Sequence, residues 1–482
     1  MRVLFVVWEL DPFLKVGGLG DVASSLPGAL RELGVEIRIA LPYYRALHLR
    51  MVRKYEVNKF HVTYDGRDEQ VTILRVAHPI TRVPVYLFKN NRYLNESKFP
   101  DTYAFFNKAI IEAIKKRKIS FRPQIIHIND LHTGLIPLLI KNYGLEIKTI
   151  LTIHNLSYQG ETNEIILDKL GVSKAEALIQ KTKKGNRQVN FLAEAIRQSD
   201  LINTVSPTYS REILKEKFGA GLDGILRLRK KDLYGILNGI DISFSTLLHA
   251  KYVKYPFVYN GILKHFYDWE TGKRYNKRFI QHRMGLKVSG NIPLFAYIGR
   301  FDPEQKGIEV MYQMLNQGAI KKYQFIILGA GKEEWEEKYR LLCSFNPEMV
   351  SCHFVFDTGL AQQIYASSDF LLIPSKYEPC GLIQMIAMGY GTLPVAHRVG
   401  GLSDSIKDGV NGFLYTNYSA PNLRKAMDRA VKIWSERKEE YKKMVEAAIR
   451  TNFSWKKSAR DYIRLYEKLL ASSSKDGESG QK

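Results

Sequence analysis

Arg300 and Lys306 stand on one short stretch, GRFDPEQKG, between an apolar run and an amphipathic one. Two basic side chains on a loop that leads into a helix suit a diphosphate leaving group, whose negative charge grows as its bond breaks. Two solvated cations on an ordinary loop are the plainer reading. Glu378 lies between Tyr377 and Pro379 in SKYEPCGLIQ, just after the strand-like DFLLIP. A carboxylate placed so rigidly suits hydrogen bonds to sugar hydroxyls or stabilisation of positive charge on a reacting carbon. A turn carboxylate with no role fits the local pattern equally. KVGGLGDV (15–22) and RVGGLSDS (398–405) each put Gly-Gly between a strand and a helix start. Glycine has no Cβ, so a phosphate can approach the main chain, and helix-start N–H groups offer partial positive charge. The same pattern also makes a common tight turn, so each stretch taken alone leaves both readings open.

Other stretches invite chemistry but lack its spacing. His127, Asp130 and His132 in HINDLHTG suggest a metal, yet His127 points away from its strand neighbours and no third histidine is near. No metal is expected. GAGKEEW (329–335) misses the P-loop pattern, no GxSxG occurs, and Cys380 lacks the partners of a thiol nucleophile. His154 closes the apolar run in TIHNLSYQG, a position that serves structure or catalysis.

These residues need a scaffold that gathers strand ends. Short β-rich runs (RVLFVVW, EIRIALP, PVYLF, QIIHIN, KTILTIH, LINTVS, then PLFAYIG, QFIILG, HFVF, FLLIPS, LPVAHR) alternate with helix-like stretches such as 105–118, 134–143 and 187–199. That alternation predicts doubly wound α/β units with parallel sheets. The candidate turns fall at the carboxyl ends of strands, where such sheets bind ligands. A chain of 482 residues exceeds one core, so two domains are expected. The predicted boundaries are a first unit over 1–241, an irregular connection over 242–290, a second unit over 291–452, helices over 453–470 and a disordered tail over 471–482.

The net charge is +23, from 72 Lys and Arg against 49 Asp and Glu. The basic clusters are short and carry no interleaved aromatics, so no nucleic-acid partner is expected. An anionic substrate and a lysine-rich surface both account for the charge. No apolar run approaches the roughly 18 residues of a membrane helix, and no signal segment precedes the first strand, so a cytoplasmic protein is predicted. Three cysteines are read as making no disulfide framework.

Taken in order, KVGGLGDV, DLHTG, TIHNLSYQG, NTVSPTYSREI, GILNGID, GRFDPEQKG, SKYEPCGLIQ and GTLPVAHRVGGLSDSI resemble the bacterial and archaeal-type glycogen and starch synthase family of retaining glycosyltransferases. FSWKKSARDYIRLY (453–466) is similar to the family's last helices. The resemblance implies a GT-B fold: two Rossmann-like domains facing across a cleft, an acceptor-side domain first and a nucleotide-sugar domain second, with the C-terminal helix packing back on the first. It implies transfer of glucose from ADP-glucose or UDP-glucose to the non-reducing end of an α-1,4-glucan, without a cofactor. It leaves homo-oligomerisation open.

Carried over by position, the resemblance puts Lys15, Gly17 and Gly18 against the donor phosphates and the transferred glucose. Arg300 and Lys306 would bind the diphosphate, with N–H groups of the Gly400, Gly401 and Leu402 turn beside them. Asp21, His154, Glu378, Cys380 and Gly381 would hold the sugar, and Phe356 would stack on the base. His154, Glu378, Arg300 and Lys306 form the expected catalytic set. Three departures stand out: Ile386 where relatives carry a second glutamate, Leu131 where they commonly carry tryptophan, and a divergent stretch after NGID. The alternatives are another retaining GT-B transferase or a glucan-binding homologue that has lost catalysis.

Overall fold

A strand covered on both faces carries residues that tolerate burial at every position. Ile125–Asn129 and Gln324–Leu328 are buried throughout and sit centrally in their sheets. The computed structural model describes residues 1–49, 52–181, 185–240, 251–258 and 267–476. They form two units: unit 1 is Met1–Gly239 together with the terminal helix Trp455–Asp476, and unit 2 is Ile240–Ser454.

Unit 1 is built on β1 (Arg2–Val6), β2 (Glu36–Pro42), β3 (Tyr55–Tyr64), β4 (Arg67–Ala77), β5 (Pro84–Lys89), β6 (Ile125–Asn129) and β7 (Lys148–Ile153). After a small antiparallel sheet of β8 (Glu161–Asn163), β9 (Ile179–Lys181) and β10 (Arg187–Asn190) come β11 (Leu201–Thr204) and β12 (Leu233–Gly235). The main sheet runs β12-β11-β7-β6-β1-β2-β5-β4-β3, parallel as far as β5 and antiparallel beyond. Strand order reverses between β1 and β6, the switch point at which open α/β sheets bind ligands beyond the strands' carboxyl ends. Two apolar clusters cover the two faces. Trp455, Tyr462, Tyr466 and Leu469 of the terminal helix belong to the same cluster as Val3, Phe5 and Ile39.

Unit 2 opens with the short pair β13 (Phe257–Val258) and β14 (Tyr267–Asp268). Its main sheet comprises β15 (Leu294–Ile298), β16 (Gln324–Leu328), β17 (Val350–His353), β18 (Phe370–Ile373), β19 (Leu393–His397) and β20 (Phe413–Tyr415). The order β17-β16-β15-β18-β19-β20 is wholly parallel, with its switch point between β15 and β18. The α/β class and the parallel sheets agree with the sequence reading.

Four expectations need correction. The stretch 242–290 holds a regular helix, Trp269–Arg283, capped by the Asp268 side chain on Thr271 N, with Trp269 and Ile280 in the unit 2 core; residues 242–250 and 259–266 lie outside those described. Its mean polarity hid the helix, because buried Lys273 and Lys277 sit on the inward face. The tail predicted disordered over 471–482 is helical to Asp476, since each residue added to a docked helix gains a backbone bond; residues 477–482 lie outside those described. Cys343 and Cys352 form a disulfide, Cα to Cα 6.5 Å, between helix Glu333–Ser344 and β17, while Cys380 is free and buried. A lone pair of this kind has no spacing signature. Finally, the β3–β4 hairpin was absent from the predicted strands because its outer strand is half exposed and its inner strand opens on the charged Arg67, Asp68 and Glu69.

Candidate active site

At the carboxyl end of β1 the chain turns through Trp8 and Glu9 before reaching the glycine-rich turn. Glu9 is buried, and its Oε2 accepts hydrogen bonds from the N–H groups of Val16 at 2.6 Å and Gly17 at 2.9 Å. The protein's own carboxylate therefore holds the amide of Gly17, one of the two glycines that the sequence pattern suggested for a phosphate, together with that of Val16. Burial raises the Glu9 carboxyl above its ordinary value, opposed by those backbone bonds. Lys15 Nζ donates to Asp21 Oδ1 at 2.5 Å, and burial of Asp21 outweighs the lysine's pull and raises its pKa. Gly18 begins the helix Gly18–Glu32, and a Cβ there would meet no atom within 4 Å.

The neighbouring strand ends supply the second part of the unit 1 cluster. His154 follows β7; its N–H donates to Asp130 Oδ1 at 2.7 Å and its Nε2 lies 2.9 Å from Asn129 Oδ1. Asn129 Nδ2 donates to Val6 O, which turns Oδ1, an acceptor only, toward the ring. His154 Nε2 must then carry the proton, and Nδ1 is left with its lone pair. Burial pushes the imidazole down to about 3, so it stays neutral at physiological pH. Asp130 sits at φ +51, an unusual backbone for a non-glycine residue and one found often at functional sites. Burial raises its carboxyl to about 7, against the backbone bonds it accepts.

The other histidines of that stretch have structural duties. His127 is buried between Thr152 Oγ1 and Tyr466 Oη, each at 2.7 Å, and burial pushes it down to about 3. His132 stacks on Trp8 with ring centroids 4.4 Å apart. Among the described residues no group of three His, Cys, Asp or Glu is placed to hold a metal.

In unit 2 the candidate side chains flank the β15/β18 switch point. Lys306 Nζ donates to Glu378 Oε2 at 2.7 Å, and Ser375 Oγ donates to the same oxygen at 3.0 Å. Glu378 is buried, so this pairing is needed to hold a charge there. Arg300 donates from Nη2 to Gln305 Oε1 at 2.9 Å and lies 3.7 Å from Asp302. Gln305 O in turn accepts from Lys376 N, tying the two loops together. Ser375 O accepts from His397 Nδ1 at 2.8 Å, which fixes that ring's tautomer.

The second glycine turn differs from its expected role. The N–H of Gly401 donates to Glu378 O at 3.1 Å and that of Leu402 to Val399 O at 3.1 Å, so these amides are engaged within the unit. Cys380 is 5% exposed, and Gln384 Nε2 donates to the carbonyls of Cys380 and Gly381. Phe356, beyond β17, is 77% exposed. Ile386 is half-buried against the unit 2 core.

Each unit thus gathers its own cluster: Lys15, Asp21 and His154 at the carboxyl edge of the unit 1 sheet; Arg300, Lys306 and Glu378 at that of unit 2. The sequence reading missed Glu9, Asn129, Ser375, Gln305 and His397, and it weighed Asp130 only as a metal ligand. An acid directly after the apolar run VLFVVW was the available signal for Glu9.

Two doubly wound units with basic and acidic loops at their switch points define a GT-B glycosyltransferase. Residues 2–228 match the family model of the starch synthase catalytic domain, and residues 280–451 that of group 1 glycosyl transferases. The chain is 36% identical to the glycogen synthase of Thermotoga petrophila and 37% to that of Geotalea daltonii, each across 98% of this chain and 99% of the relative. The catalytic domain of starch synthase IV from Arabidopsis thaliana, solved with ADP and acarbose, superposes with a TM-score of 0.84 at 28% identity, across 98% of this chain and 99% of that one. The chain belongs to the glycogen and starch synthase family. No described helix is long and apolar enough to cross a membrane.

Proposed function

We propose that this chain transfers glucose from a nucleoside-diphosphate glucose to the non-reducing end of an α-1,4-glucan, with retention at the anomeric carbon. The observation that carries the reading is the Lys306–Glu378 pair, a cation and a carboxylate 2.7 Å apart and largely buried, on the loops that also hold Arg300. A nucleotide sugar presents what such a pair recognises, a diphosphate and a ring of hydroxyls. Lys306 and Arg300 stabilise the charge that grows on the diphosphate as its bond to the anomeric carbon breaks. Both donors to Glu378 use Oε2, so Oε1 keeps acceptor capacity for sugar hydroxyls. Phe356 offers an exposed face to the nucleobase.

Within unit 1, Lys15 and Asp21 offer polar groups at the sheet's carboxyl edge, and the neutral His154 has an Nδ1 able to accept a hydrogen bond. Retention follows if the departing phosphate oxygen accepts the proton of the acceptor's 4-hydroxyl on the face that it leaves. The C1–O bond to phosphate breaks, a C1–O bond to the glucan forms, and no protein nucleophile is required. The starch synthase IV domain bound to ADP and acarbose supports a nucleoside-diphosphate and oligosaccharide chemistry for this architecture.

The test is release of ADP from ADP-glucose and of UDP from UDP-glucose, with and without glycogen or short maltooligosaccharides. Products are sized, and their anomeric configuration is read by NMR. Acceptor-dependent release with α-linked oligomers growing one glucose at a time is expected. Lys306→Ala lowers turnover roughly 10²–10³-fold while glucan affinity stays nearly unchanged. Silence with both donors, or a Lys306→Ala variant that loses glucan affinity but not turnover per bound acceptor, would overturn the assignment.

A further inference from the structure

At the opposite edge of the unit 1 sheet, the amino ends of β11, β7, β6 and β1 open into a cavity of about 910 Å³. We propose that this cavity binds a small organic phosphate, of sugar-phosphate or nucleotide size, independently of the transfer reaction. The argument rests first on charge. Four cations line it, Arg2, Arg122, Lys141 and Lys148, against two carboxylates, Glu146 and Asp200. Asp200 is already engaged: Oδ2 accepts from Thr149 N at 2.7 Å and Thr149 Oγ1 at 2.9 Å, and Oδ1 lies 3.4 Å from Lys148.

That leaves Arg2, Arg122 and Lys141 facing one remaining acid. Arg2 Nε donates to Arg122 O at 2.6 Å, which holds the guanidinium along the rim with its terminal nitrogens available. Arg122 and Lys141 make no ion pair among the described residues. Arg2, Arg122 and Lys141 are exposed, yet cations gathered in one concavity still repel one another, and a bound anion reverses that cost. Guanidinium forks and an ammonium are the groups that hold phosphate oxygens.

The walls decide between a bare anion and an organic one. Leu145, Ile147 and Leu470, each half-buried, present apolar surface beside the cations. Inorganic phosphate would leave that surface wet, whereas a sugar or base attached to the phosphate would cover it. The volume falls in the range of roughly 300–1,000 Å³ that holds small organic ligands.

Isothermal titration of the full chain with inorganic phosphate, glucose 1-phosphate and AMP tests the site. One of the organic phosphates is expected to bind more tightly than inorganic phosphate. Arg122→Gln combined with Lys141→Gln should weaken it by about tenfold or more, the worth of a charge-assisted hydrogen bond. Lys306→Ala, in unit 2, should leave that binding intact, and the double variant should keep normal transferase turnover. Lys141→Arg, which preserves charge, should retain binding, so that loss in the glutamine pair is not a folding defect. Absence of binding by all three probes at millimolar concentration would overturn the proposal. So would equal affinity for inorganic and organic phosphates, or binding that disappears with Lys306→Ala and survives in the glutamine pair.

Discussion

A Cβ added at Gly400 would lie 2.0 Å from Glu378 O, and one at Gly401 2.2 Å from Cys380 O, whereas one at Gly18 would meet no atom within 4 Å. The two Gly-Gly turns are nearly the same in sequence and solve different problems. In unit 2 the missing side chains let helix Gly400–Ser405 press against the loop that carries Glu378, and Gly400 adopts φ +42. The glycines there act through packing. In unit 1 the turn is shaped electrostatically, by the Glu9 carboxylate gripping two backbone N–H groups from within. A repeated motif therefore signals a repeated place in the fold, the carboxyl end of a parallel strand, without fixing what the turn does there.

The sharpest way to break this comparison is a pair of alanine variants. Gly400→Ala should lose about 2–4 kcal/mol of stability through overpacking and backbone strain, read by denaturant unfolding. Gly18→Ala should change it by less than about 1 kcal/mol. Equal losses would mean that the turns are alike after all. Next comes Glu9→Ala, which leaves two N–H groups without their partner and should cost about 1–2 kcal/mol, tempered by relief of a buried acid. A variant as stable as the parent would show that water replaces the carboxylate freely.

The subtlest readout is one of pH, a slope rather than a loss. Burial raises Asp130 from 3.8 to about 7, and Glu9 and Asp21 shift the same way. Such groups stabilise the fold fully below their unfolded values, and that contribution is lost as pH rises through the folded ones. Asp408 in unit 2 has the opposite sign: burial opposes its ionisation, but Arg429 and the Leu414 N–H outweigh it and lower its pKa. Its contribution is present above the unfolded value and lost on acidification. Unfolding free energies measured between about pH 5 and pH 8 should fall less steeply with rising pH in Asp130→Asn than in the parent. An unchanged slope would remove Asp130 from the account.

Much of the architecture was legible because strands such as β16 and β18 are apolar at nearly every position and alternate with helices. Arg300, Lys306 and Glu378 could be singled out because charge at the end of an apolar run is conspicuous. Glu9 was harder, since its role depends on a turn several residues later folding back over it. Asn129 acts through an amide orientation set by Val6 O, a partner 123 residues away that no local pattern reveals. The helix Trp269–Arg283 escaped notice because Lys277 pairs with Asp369 inside the unit, so a charged residue occupies an inward position. Buried polar partners far apart in the chain are what sequence periodicity cannot report.

The docking of helix Trp455–Asp476 also bears on how the chain is made. His127 meets Tyr466 across 339 residues, and Asn203 meets Tyr462 across 259. Ribosomes deliver the amino-terminal part of unit 1 first, then all of Ile240–Ser454, and only afterwards the helix that completes it. During that interval the nascent first unit holds an uncovered apolar face around Phe5 and Ile39, with the His127 and Asn203 side chains lacking their tyrosines. Translation pauses within the second unit prolong that exposed state, a natural point for chaperone capture.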